Sequence, residues 1–183
     1  MRNKYKGLNN KSPEEAAKVV GEVEKSNYLA HSIREIQQAI LRNKGENYHI
    51  ISRIVGAGSS TSKVFFFNKG CEIFLPHECE EMDDKKIRLI LAHELGHIVF
   101  NIENLMNPEI LENTEASNEE EFYAWKFAFN LIKMKSDEHR SNSRQSKFIY
   151  HDDDLKSQLS ALVKSKKPEI YNDVVKSLNL PKF

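Results

Sequence analysis

Ile87-Arg88-Leu89-Ile90-Leu91-Ala92-His93-Glu94-Leu95-Gly96-His97-Ile98-Val99-Phe100 reads H-E-x-x-H inside an apolar run. On a helix, positions i and i+4 share one face, so both imidazoles can reach a single ion. Glu94 is rotated roughly 100° from His93 about the axis. It can overlook such an ion without binding it. A zinc hydrolase needs this division of labour: neutral nitrogen ligands, an open position for water, and a carboxylate to take the water's proton. The apolar flanks imply a buried helix from about Asp83 to Asn101. Buried histidines and a buried glutamate need partners, because unpaired polar groups in a core are costly. Gly96 costs a helix about 1 kcal/mol relative to Ala, which suggests that something approaches closely there.

A catalytic zinc usually takes three protein ligands and one water. A third histidine at the spacing of the longer zinc motif would fall at 103, where the chain has Glu103. The better source is Asn118-Glu119-Glu120-Glu121-Phe122-Tyr123-Ala124-Trp125-Lys126-Phe127-Ala128. Ser117 and Glu120 have capping-box spacing, which predicts a helix start. Phe122, Trp125 and Phe129 mark an apolar side. Three glutamates in a first turn also suit the helix dipole. Most of the cluster is expected to serve that end, with one member diverted to the metal.

H-E-L-G-H followed by E-x-x-A-x-x-F-A-x-x-L (Glu121, Ala124, Phe127, Ala128, Leu131) resembles the gluzincin metallopeptidases, in particular the ImmA/IrrE-type proteins. The resemblance covers about Tyr48 to Lys133. It implies a zincin-like minimal domain, Zn2+ held by His93, His97 and Glu121, and Glu94 as general base. Glu120 is the alternative third ligand. Three features depart from the pattern, one being the missing Pro after the second helix, where Leu131-Ile132 runs on to Lys133-Met134. Tyr123 replaces a frequent second Glu. Trp125 replaces an Asn or Asp, which removes a hydrogen-bond partner for a ligating histidine. The resemblance also implies a substrate lying along an edge strand beside the motif helix, either Cys71–Leu75 or Lys63–Phe67.

The chain has 183 residues, enough for one domain with a core of its own. Lys plus Arg and Asp plus Glu balance at 27 each, so nucleic acid is not an expected partner. The basic N-terminal segment lacks an apolar h-region, and no run reaches membrane-spanning length. The two cysteines, Cys71 and Cys79, read as reduced thiols of a cytoplasmic protein.

Ser12-Pro13-Glu14-Glu15 predicts a helix start. A second helical stripe runs from about Asn27 to Asn43. Tyr48–Val55, Lys63–Phe67 and Cys71–Leu75 read as strands, the last two as a hairpin about Asn68-Lys69-Gly70. The loop Gly56–Ser62 lacks the G-K-[ST] ending of a phosphate cradle. About 15 residues around Pro108 and Asn113 connect the two key helices, a length that often carries function. Ser136–Lys147 reads as polar and exposed. His151-Asp152-Asp153-Asp154 reads as a capping cluster for a helix near Leu155 rather than a second metal site. Pro168 begins a last helix. These elements predict an α+β fold: a small antiparallel or mixed three-stranded sheet packed against the H-E-x-x-H helix and the helix after it, flanked by N-terminal and C-terminal helices. Residues 1–135 would form the metallopeptidase domain and 136–183 a helical appendage.

The expected activity is zinc-dependent endopeptidase. The resemblance implies a protein substrate such as a helix-turn-helix repressor, which this chain does not itself contain. The transition-state donor is open: Tyr123, His77, His139 and Arg88 qualify by type. A zinc-stabilised, non-catalytic protein-binding or toxin–antitoxin module is the alternative. A third reading is a helix with purely structural histidines.

Overall fold

A computed structural model describes residues 11–21, 34, 37–38, 41, 47–54, 62–67, 69–75, 84–102, 104–105, 115–141 and 151–182. Helix α1 spans Pro13–Gly21. Its start is a complete capping box: the Glu15 amide donates to Ser12 Oγ (3.2 Å) and the Ser12 amide to Glu15 Oε2 (3.3 Å). Most of the stripe expected from Asn27 to Asn43 lies outside the described residues. Arg34, Gln37, Gln38 and Leu41 within it are helical. The loop Gly56–Ser62 (except Ser62) and the connection around Pro108 and Asn113 also lie outside them.

Strands β1 (His49–Ile54), β2 (Lys63–Phe67) and β3 (Gly70–Leu75) form one sheet in the order β1-β3-β2. Phe67 pairs with Gly70, so a two-residue turn closes the β2–β3 hairpin, with Lys69 at φ 65°. β1 runs parallel to β3, placing Ile50 beside Cys71 and Ser52 beside Ile73. The sheet is therefore mixed. Being central, β3 has its backbone paired on both sides, and Cys71, Ile73 and Leu75 are buried. This corrects one expectation: Cys71–Leu75 is not an edge, and among the described residues Lys63–Phe67 is. Cys71 is a free buried thiol whose pKa burial pushes up to about 12.

Helix α2 (Asp84–Phe100) is the motif helix. Leu89, Ala92, Leu95, Ile98 and Val99 are fully buried, because the helix lies between the sheet and α3 (Asn118–Ser141). The Ser117 hydroxyl caps α3 by accepting from the Glu120 amide at 3.1 Å. α3 is 24 residues long and passes through the expected boundary at 135; Ser136 is buried, not exposed.

Helix α4 (Asp152–Lys166) begins a turn earlier than expected, with the three aspartates in its first turn and no side-chain cap. Helix α5 spans Tyr171–Leu178. Leu155, Leu159, Val163, Val174 and Val175 join the same core cluster as α2 and α3. The C-terminal helices thus share the core of the sheet and the two central helices. The described residues form an α+β fold with five helices and a three-stranded mixed sheet. Among them, no helix is long and apolar enough to cross a membrane.

Candidate metal centre

Four residues apart on α2, His93 and His97 point their Nε2 atoms at one another, 3.0 Å apart. Glu121, in the first turn of α3, brings Oε2 to 3.4 Å from His93 Nε2 and 3.9 Å from His97 Nε2. The three ligand atoms lie within 4.8 Å of one another and all three residues are buried. An imidazole pair alone could share one N–H. That would leave Glu121 Oε2 unexplained, since this buried oxygen has no hydrogen-bond partner among the described residues. A buried carboxylate oxygen without a donor is costly. A divalent cation among the three atoms would supply the missing partner, and two imidazole nitrogens with one carboxylate oxygen are a fitting donor set.

The other nitrogens are treated differently. His97 Nδ1 donates to Glu120 Oε1 at 2.8 Å, and Asn101 Nδ2 donates to the same oxygen at 2.7 Å. That carboxylate fixes the ring's tautomer, leaving Nε2 free to accept an ion. The structure thus assigns the two glutamates distinct places: Glu121 faces the cluster, and Glu120 supports His97 from behind. In a reciprocal capping box the Glu120 carboxylate would return to Ser117, but here it is turned to His97. Burial alone would lower the His97 pKa. The hydrogen bond to Glu120 and the charges of Glu94 and Glu121 outweigh it and raise the pKa. His93 has no such support. Its Nδ1 is buried without a hydrogen-bond partner among the described residues, and its ring stacks on Trp125 at 3.8 Å between centroids and 25° between planes. Burial, then the charges of His97, Lys166 and Lys167, hold its pKa well below the usual imidazole range.

Glu94 is buried beside the cluster. Burial raises its pKa, partly offset by the charge of His97 and a hydrogen bond from Ser62. Ser62, just before β2, accepts from Lys166 Nζ at 2.9 Å. The next residue, Lys167, places Nζ 3.4 Å from Glu121 Oε1. Helix α4 therefore ends at the site. Sequence reasoning missed Ser62, Lys166 and Lys167, which carry no local signal. It also missed Asn101, whose signal was its place one turn after His97.

Gly96 explains how the two helices come close enough. A Cβ there would lie 2.7 Å from Ala124 Cα, 3.0 Å from its carbonyl oxygen and 3.1 Å from its Cβ. Gly96 sits one residue before His97, and Ala124 three after Glu121, so this contact sets the gap across which the ligands meet. Gly96→Ala is expected to force the helices apart, at about 1–3 kcal/mol for overpacking against about 1 kcal/mol regained in helix propensity. Melting temperature and metal affinity should both fall. Adding Ala124→Gly should not restore them, because the tightest clashes are with backbone atoms. Full recovery in the double variant would refute this account.

The remaining candidates separate. Tyr123, about 200° around α3 from Glu121, lies against Phe100 with ring centroids 5.3 Å apart. Its buried hydroxyl has no hydrogen-bond partner among the described residues, and the charged group acting on it is Glu14 of α1. Tyr123 thus sits on the side of α3 turned from Glu121, against the end of α2. Arg88 lies more than one turn before His93 on α2. His77 and the side chain of His139 lie outside the described residues. Among the described residues, His151 and the aspartates after it do not form a metal-ligand group. Compared with known proteins, the chain matches no family model, no curated protein and no solved structure.

Proposed function

We propose that this chain is a zinc-dependent endopeptidase built on a zincin-like minimal domain, as its resemblance to ImmA/IrrE-type proteins implies. The observation that carries this reading is Glu121 Oε2, which has no hydrogen-bond partner among the described residues and faces two imidazole nitrogens, with a second buried carboxylate, Glu94, beside them. His93, His97 and Glu121 would hold the ion. Zinc, when bound, supplies Lewis acidity toward water and the scissile carbonyl. Glu94 accepts a proton from the attacking water and returns it to the leaving amine. Its raised pKa suits both directions of transfer nearer neutrality than an ordinary carboxylate would. Glu120 and Asn101 keep His97 oriented. β2, an edge of the described sheet, offers backbone groups to an extended substrate segment.

The proposed substrate is a separate regulatory protein, such as a helix-turn-helix repressor encoded beside this chain, met in the cytoplasm. Incubating the two purified proteins should yield defined fragments, and a chelator should abolish them until zinc is restored. A second reading, a zinc-stabilised module that docks a partner without cutting it, is favoured by Tyr123, which is turned from the cluster and leaves the oxyanion without an assigned donor. A stable complex with no fragments, with zinc bound, would select that reading.

A further inference from the structure

We propose that Lys167 is a positioning residue for the metal centre: it holds one oxygen of Glu121 so that the other is presented to His93 and His97. The two oxygens of this carboxylate have separate partners. Oε1 lies 3.4 Å from Lys167 Nζ, while Oε2 lies 3.4 Å from His93 Nε2 and 3.9 Å from His97 Nε2. The Glu121 side chain is 8% exposed and that of Lys167 is 29% exposed, so the carboxylate end of the pair is shielded from water and the lysine partly so. Shielding makes such a contact more directional than a surface ion pair.

The backbone of Lys167 is also held. It caps α4, its amide donating to Val163 O at 2.8 Å, and Val163 and Ile170 on either side are buried. Lys166 ties the same helix end to Ser62, which hydrogen-bonds Glu94. The last residue of α4 and its C-cap thus lead to the two buried carboxylates of the site, Lys166 through Ser62 and Lys167 directly. A carboxylate held at one oxygen offers a single oxygen to an ion, which suits a centre that must keep a position open for water. A cation so near the site also repels a second cation. Positioning and repulsion act in opposite directions on metal affinity, so a measurement separates them.

The inference rests on the metal reading of the cluster and not on peptide hydrolysis. Zinc affinity of the full-length chain would be measured by competition with a chelating indicator, for the wild type, Lys167→Met, Lys167→Gln and Lys167→Arg. Lys167→Met would also be combined with Glu121→Gln. Loss of the lysine is expected to weaken zinc binding about 10–100-fold, the range for partners that orient a ligand. Arginine should restore most of the affinity. In the Glu121→Gln background, Lys167→Met should have no further effect. Unchanged or tighter binding by both Lys167→Met and Lys167→Gln would overturn the proposal, as would an equal loss without Glu121. A wild-type chain that binds no zinc would instead remove the metal centre itself.

Discussion

Glu94→Gln is expected to leave zinc binding nearly intact and to lower the cleavage rate about 10²–10⁴-fold, the usual span of general acid–base catalysis. The substitution keeps the shape of the side chain and removes only its ability to take a proton. Glu94 is 3% exposed, and it is not one of the three residues whose ligand atoms converge. The amide oxygen can still accept from Ser62, so the local packing should survive. Burial raises the pKa of Glu94, so taking away its charge should not destabilise the fold. Zinc stoichiometry and the initial rate on the full-length substrate, measured on one preparation, test both halves. A variant that holds zinc and cuts at the wild-type rate would eliminate Glu94 as the base.

Glu121→Gln and Glu120→Gln should separate just as clearly in metal affinity. Glu121 contributes the only carboxylate oxygen of the converging set, and a neutral amide is a much poorer ligand for a divalent ion. Glu120 acts through the far nitrogen of His97, at 2.8 Å. Its loss should cost about 10–100-fold, as for other groups that orient a ligating histidine. Glu121→Gln should exceed that. Equal affinities in the two variants would dismiss the assignment of ligand and support.

The parts of this architecture that depend on neighbours in sequence were legible in the chain. The α2 helix follows from its apolar flanks, the start of α3 from Ser117, the start of α1 from a capping box, and the hairpin from a two-residue turn. The close approach at Gly96 was also legible, since a helical glycine requires compensation. Strand order was not: placing β3 between β1 and β2 requires a parallel pairing that no local pattern encodes. The line between domain and appendage was drawn at 135, where polarity rises, yet α3 continues to Ser141 and the later helices share its core. Glu120 and Glu121 look alike in sequence. Neighbouring positions on a helix point about 100° apart, and only the packed position of α2 decides which one meets the imidazoles. The contact between Lys166 and Ser62 spans 104 positions, beyond the reach of any spacing rule.

Trp125 is the only tryptophan of the chain, and its indole is stacked on His93. Tryptophan emission from this protein, excited beyond the tyrosine band, therefore originates against the ring of a candidate ligand. Filling the site would alter the electronic surroundings of that single fluorophore, giving a dye-free optical gauge of occupancy. A paramagnetic ion such as cobalt would quench it more deeply than zinc does.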